Sequence, residues 1–71
     1  MKGKVKWFDE KRGFGFIEND EYKDIFVHYT AINLDGYKSL KENNAVSFVL
    51  IETEKGYQAK NVNLIKEKVN N

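Results

Sequence analysis

The chain has 71 residues, of which 41% are hydrophobic, and a formal net charge of +1 at pH 7, which is the size of one small domain with a single core. It contains no cysteine, so disulfides and thiolate metal sites are excluded. The hydrophobic residues occur in short runs, and we therefore expect neither a membrane span nor a signal peptide. Together these features predict one soluble cytoplasmic domain.

Short segments rich in β-branched and aromatic residues, separated by turn signals at fairly even spacing, predict an all-β meander or small barrel. Five strands are expected, at 3–8, 14–19, 24–28, 45–51 and 57–64. The turns at 9–13, 19–23 and 52–56 carry Asn, Asp or Gly, which suit turn backbone angles. The longer connection 29–44 is predicted to contain one helical turn near 30–33.

The first strand carries a conflict between burial and alternation. We expect Val5 in the core and Trp7 on the outer surface, although residues two apart in a regular strand share a face. A β-bulge or a strong bend near Lys6 is therefore predicted. The strand and the turn after it are also basic, with Lys2, Lys4, Lys6, Lys11 and Arg12 against Asp9 and Glu10.

Aromatic residues alternate in the second and third strands. Phe14 and Phe16 share one face of the second strand, and Phe26 and His28 share the face of the third strand opposite to its aliphatic residues. Pairing of the two strands brings the three phenylalanines together on the outer surface. A contiguous exposed aromatic patch usually marks a binding site, and flat rings flanked by cations suit unpaired bases.

The alternative is that these rings belong to an ordinary core. The chain has ten aromatic residues, more than a small barrel can bury beside its aliphatic core. That core is expected to contain Ile17, Ile25, Val27, Ile32, Val46, Phe48, Val62 and Leu64. The pattern therefore favours a surface platform, with Phe8 left open between platform and packing.

Catalysis and cofactor binding find little support in the sequence. There is no cysteine nucleophile, and no serine stands beside a base. His28 is the only histidine, so a metal site lacks its further ligands, and a stacking or hydrogen-bonding role is expected for it. We predict a protein that is not an enzyme and has neither a cofactor nor a small-molecule substrate.

The run from Arg12 to Phe16 matches the opening of the first ribonucleoprotein motif of RNA recognition motif domains. That fold requires a second motif upstream and two amphipathic helices, which are absent here. The chain as a whole resembles bacterial cold-shock proteins, over residues 2 to about 64. The resemblance is carried by the segments 3–8, 11–17, 24–32, 35–40 and 58–62.

This resemblance implies a five-stranded antiparallel Greek-key barrel of the OB-fold type that binds single-stranded RNA and DNA. It implies an RNA chaperone that destabilises RNA secondary structure without ATP, with roles in transcription antitermination and translation in the cold. The implied binding residues are Lys6, Trp7, Phe8, Arg12, Phe14, Phe16, Phe26, His28, Tyr29, Tyr37, Lys55 and Gln58. One cold-shock domain is expected over 1–71, monomeric, with its core at about 2–65 and a polar tail at 66–71.

Several positions depart from the family pattern. Asp9 stands where many members have asparagine and adds negative charge beside the binding surface, and Tyr29 and Tyr37 replace frequent phenylalanines. Tyr57 stands where proline often occurs and is expected to loosen or extend the loop after Lys55. A second hypothesis is a structural or ribosome-associated OB domain that contacts folded RNA or protein through the same basic face.

Overall fold

The protein is an all-β barrel in this computed structural model, which describes residues 1–33 and 40–65. Its strands are β1 (Lys2–Asp9), β2 (Phe14–Glu18), β3 (Ile25–His28), β4 (Ala45–Thr53) and β5 (Gly56–Leu64), with a 3₁₀ turn at Tyr29–Ala31. They close in the order β1-β2-β3-β5-β4. Neighbouring strands run antiparallel except β3 and β5, which are parallel. The predicted five-stranded barrel is confirmed.

The predicted element positions hold to within about two residues. The main difference is the last hairpin, where β4 and β5 continue to a turn of only two residues between Thr53 and Gly56. The Thr53 hydroxyl donates to the Gly56 carbonyl at 2.9 Å and accepts from the Lys55 backbone N–H at 3.1 Å, which closes this turn. Tyr57 lies inside β5, so the expected loosening or extension of this loop was wrong.

The bulge predicted near Lys6 is present. Val5 pairs with Ile17 and Trp7 pairs with Phe16, so Lys6 is one extra residue in β1 opposite consecutive residues of β2. Val5 is 1% exposed and Trp7 is 43% exposed. The bulge therefore lets one strand place an aliphatic residue inside the barrel and an indole outside it.

The barrel interior is mainly aliphatic, as predicted, with one expected member that is not buried. Seven of the eight expected residues are buried, but Leu64 at the end of β5 is 37% exposed; its assignment to the core was wrong, because it lies where the barrel opens to solvent. Phe8 is half-buried and packs against the core, which supports the packing alternative for this ring. Val5 is buried as expected, and three further buried residues were not predicted: Ala31, Leu40 and Ala59.

Gly15 permits the close approach of β1 and β2. It pairs with Phe8, and a Cβ atom at this position would lie 2.7 Å from the Phe8 Cα. It would also press on the Trp7 carbonyl oxygen. Both obstacles are backbone atoms, so this position accepts only glycine without moving a strand that carries the outer aromatic residues.

Helical structure is short throughout the described ranges. Neither residues 1–33 nor residues 40–65 contain a helix with the length and hydropathy needed to cross a membrane.

Candidate nucleic-acid interface

Four aromatic rings on β1, β2 and β3 form one contiguous group, here called the ring cluster: Trp7, Phe14, Phe16 and Phe26. The Trp7 ring centroid lies 5.9 Å from that of Phe14 and 5.4 Å from that of Phe16. Phe26 lies 5.8 Å from each of the same two phenylalanines. The contacts are tilted or edge-on, an arrangement that aromatic rings prefer, and the three phenylalanines are half-buried. The cluster is therefore a preformed, partly exposed aromatic surface.

The ring cluster belongs to a longer series of paired residues, here called the cross-strand row. Trp7 pairs with Phe16, Phe16 with Phe26, Phe26 with Gln58, and Gln58 with Ile51. Directly paired residues share a face of a sheet, so all five side chains lie on the outside of the barrel. Since neighbouring strands are about 4.8 Å apart, the row spans roughly 19 Å.

His28 extends this surface beside Phe14, with which it pairs. Its ring centroid lies 4.7 Å from that of Tyr29, which is 44% exposed. The Thr30 backbone N–H donates to His28 Nδ1 at 3.4 Å, and the Thr30 hydroxyl lies 2.9 Å from the same atom. Because a backbone N–H can only donate, Nδ1 is the acceptor and the neutral ring carries its proton on Nε2. His28 thus caps the 3₁₀ turn and retains one ring donor for a ligand.

Lys6, the bulged residue, is paired with a carboxylate at the edge of the surface. Its Nζ donates to Asp24 Oδ1 at 2.9 Å. This hydrogen bond raises the Lys6 pKa above 10.5, with smaller contributions from the charges of Asp24 and Glu18, so the ammonium stays protonated at neutral pH. A phosphate that binds Lys6 must compete with Asp24, whose side chain is 69% exposed.

The β1–β2 turn is organised by Asp9. Asp9 Oδ1 accepts hydrogen bonds from the backbone N–H groups of Lys11 at 2.9 Å and Arg12 at 3.2 Å. The second carboxylate oxygen lies 3.8 Å from Arg12 Nε, in a pair whose arginine side chain is 73% exposed. The expected negative charge of Asp9 is therefore used to hold the turn and to orient Arg12.

Gly13 completes the same turn and connects it to Tyr29. It has φ +77°, a conformation that favours glycine, and its carbonyl accepts from the Tyr29 backbone N–H at 2.8 Å. A Cβ at Gly13 would lie 2.7 Å from the Tyr29 ring. The glycine thus lets the Tyr29 ring lie against the turn backbone.

A groove of about 470 Å³ adjoins the ring cluster on the β5 side. Phe16, Phe26 and Asp24 line one part of it, and Lys55 and Gln58 line the other. Tyr57 also borders the groove and is held by Tyr22, with ring centroids 4.7 Å apart. A base beside Phe26 would therefore lie within reach of an amide and an ammonium group.

The structure brings most of the predicted binding residues to one side of the barrel. Phe8 is partly buried and packs against the core, and Tyr37 lies outside the described residues. Sequence reasoning missed Asp24 as the partner of Lys6 and Asp9 as the organiser of the turn. An aspartate at the start of a turn is a known signal for the second role, whereas the Lys6–Asp24 pair depends on a contact between distant residues.

Comparisons with known proteins agree with this geometry. Residues 1–65 match the model of the family described as the "Cold-shock" DNA-binding domain. The chain is 52% identical over 66 residues to a cold shock-like protein of Thermotoga maritima, covering 93% of this chain and 100% of the relative. It is 58% identical over 62 residues to cold shock protein CspD of Bacillus subtilis, covering 87% and 94%. Cold shock protein CspA of Staphylococcus aureus is 56% identical over 61 residues, covering 86% and 92%.

Proposed function

Because the chain belongs to the cold-shock DNA-binding domain family, and is therefore a nucleic-acid-binding protein and not an enzyme, we propose that its ligand is single-stranded RNA or DNA. The observation that carries this proposal is the ring cluster, which offers four rings within 6 Å of a neighbouring ring on one outer face. Unpaired bases stack on such rings, while bases inside a duplex are already stacked. We propose binding by Lys6, Trp7, Arg12, Phe14, Phe16, Phe26, His28, Tyr29, Tyr37, Lys55 and Gln58.

The expected affinity follows from the number of rings and cations. Stacking contributes about 1–3 kcal/mol per base, so four rings at about 1.5 kcal/mol supply roughly 6 kcal/mol. Micromolar binding requires about 8 kcal/mol. The remaining binding free energy comes from contacts between cations and phosphates. If Lys6, Arg12 and Lys55 each neutralise one phosphate, the slope of log K against log salt is about −2. Binding is then permissive in sequence and sensitive to salt.

The cellular role that follows is that of an RNA chaperone in the cytoplasm. A monomer that captures unpaired bases shifts weak RNA structure toward the open form, with binding as the only energy source and no need for ATP. In the cold, where RNA pairing is more stable, the same activity would serve translation and transcription antitermination.

A fluorescence titration of Trp7 tests the proposal. The protein is titrated with a pyrimidine-rich single-stranded heptamer and with the matching duplex, at two salt concentrations. Quenching by the single strand alone, weakened by salt, is the expected result. Absence of quenching by either ligand from a folded protein would refute base stacking. Quenching by the duplex alone would favour the alternative in which the basic face contacts folded RNA.

A further inference from the structure

We propose that the nucleic-acid surface continues beyond Gln58 onto the outer face of the β4–β5 hairpin, where Ile51 contacts one further base and Lys60 contacts a phosphate. This inference rests on the proposed function, because it lengthens the path of the same single strand. It adds two binding residues that neither the family resemblance nor the sequence pattern identified.

The first support is the continuity of the cross-strand row. Phe26 pairs with Gln58, and Gln58 pairs with Ile51, so the row passes from the ring cluster to β4 without changing face. Two strand spacings separate Phe26 from Ile51, or about 10 Å. OB folds hold about 4–16 nucleotides, so a strand that crosses the whole row stays within the usual site size.

The second support is exposed aliphatic surface at the end of the row. Ile51 is 36% exposed and Val49, two residues earlier on the same face of β4, is 51% exposed. Leu50 between them is half-buried and packs against the core. Ile51 and Val49 therefore form an exposed apolar strip at the end of the row, separated from the aromatic rings by Gln58.

The third support is the charge of the hairpin face. Lys60 pairs with Val49, and it is exposed beside the aliphatic pair. By strand alternation this ammonium shares the side of the hairpin that carries Ile51 and Gln58, whereas Glu52 alternates to the other side of β4. An apolar strip bordered by a cation suits a base and its phosphate.

A second copy of the chain is the competing occupant, because no other strand of the described residues pairs with this edge of β4 beyond Phe48. The described part of β1 pairs with β4 through residues 45–47, and Met1 and Phe48 exchange the last backbone hydrogen bonds at 2.9 Å and 2.8 Å. Edges of this kind can pair with another strand. The open segment Val49–Thr53 is only five residues long, however, and stable interfaces bury about 1,200–2,000 Å². Continuity with the ring cluster therefore favours nucleic acid.

The test is a length series of oligothymidylates from three to eight nucleotides, with dissociation constants read from Trp7 quenching. It compares the wild type with Ile51→Thr and with the control Leu64→Thr, since Leu64 is 37% exposed and lies outside the row. Ile51→Thr is expected to bind short oligomers like the wild type and the longest about five-fold more weakly, the effect of removing roughly 40 Å² of covered apolar surface. Lys60→Gln is expected to reduce the salt slope by about 0.7 for the longest oligomers only.

A variant with its only tryptophan at position 51 reports contact with nucleic acid at that position directly. In a Trp7→Phe background, Ile51→Trp places the only indole at the end of the row, and it should be quenched by long oligomers but not by short ones. Identical length dependence for wild type and Ile51→Thr, or an unquenched indole at position 51, would overturn the inference. The inference would also be overturned if sedimentation showed concentration-dependent dimers of the protein that Ile51→Thr abolishes while oligothymidylate binding stays unchanged. That result would assign the patch to a second copy of the chain. Failure of every oligomer to quench wild-type Trp7 would instead refute the proposed function.

Discussion

Substitution of the buried Gly15 by alanine should strongly destabilise this barrel. A Cβ at Gly15 would lie 2.7 Å from the Phe8 Cα and 2.9 Å from the Phe8 Cδ2, and closer still to the Trp7 carbonyl oxygen. Real Cβ atoms do not approach other atoms within 3.0 Å. Because backbone atoms cannot rotate away as a side chain can, β1 and β2 must separate or deform to admit the methyl group.

The expected magnitude is large relative to the stability of the domain. Overpacking costs about 1–3 kcal/mol in ordinary cores and occasionally more, and a clash with two backbone groups places Gly15→Ala near the upper limit, at about 3 kcal/mol. A chain of 71 residues has a free energy of unfolding of about 4–11 kcal/mol. The melting temperature should therefore fall by about 12–24 °C.

Urea unfolding followed by Trp7 fluorescence and by circular dichroism measures this loss. Gly56→Ala is the matched control, because a Cβ at Gly56 meets no atom within 4 Å and only its φ of +128° opposes the substitution. We expect the control to cost about 1–2 kcal/mol. A Gly15→Ala variant within about 1 kcal/mol of the wild type, or one more stable than Gly56→Ala, would refute the steric reasoning.

Three further predictions concern binding, and a fourth concerns the β1–β2 turn. Joint replacement of Phe14 and Phe26 by alanine should weaken oligonucleotide binding by at least about 30-fold, since two stacking contacts of about 1–3 kcal/mol are lost; an unchanged dissociation constant in a folded variant would contradict the platform. Lys6→Gln leaves the Asp24 carboxylate unpaired near phosphate. The double variant Lys6→Gln, Asp24→Asn should therefore bind the oligonucleotide more tightly than Lys6→Gln alone. Weaker binding by the double variant in the same titration would contradict repulsion between Asp24 and phosphate. Raising the pH from 7 to 9 should leave the contribution of Lys6 to the slope of log K against log salt unchanged. The raised pKa of Lys6 keeps its ammonium protonated over this range, and the charge is lost only above 10.5. Asp9→Ala should lower the melting temperature, because the turn loses two hydrogen bonds to one carboxylate oxygen, and calorimetry showing no change would contradict this role.

The sequence was sufficient for the strands and the outer face because both depend on local alternation. Phe14, Phe16 and Phe26 alternate with aliphatic residues, so their common face follows from the period of two. The bulge at Lys6 was predictable for the same reason, since Val5 and Trp7 could not satisfy their environments in a regular strand. Resemblance to a known family supplied what alternation could not, namely a barrel of the OB-fold type.

Other features depend on contacts between distant residues or on the position of a strand end. Asp24, which directly precedes β3, contacts Lys6 in β1, and no local pattern encodes that contact. Leu64 is hydrophobic like the core residues, but it is the last residue of β5 and is partly exposed. The turn predicted at 52–56 is present but shorter, and its length was not predictable because its two central residues, Glu54 and Lys55, are not residues typical of turns.

The parallel contact between β3 and β5 has a consequence for how the domain folds. This pairing joins residues such as Phe26 and Gln58 that are far apart in the sequence, and pairings of this kind form slowly because a long loop must close first. A chain that has assembled only β1, β2 and β3 would already carry the ring cluster but not the rest of the row. A single strand of nucleic acid lying across both parts would favour the closed barrel and so act as a template for the last step of folding, and the rate of refolding should then rise with oligonucleotide concentration.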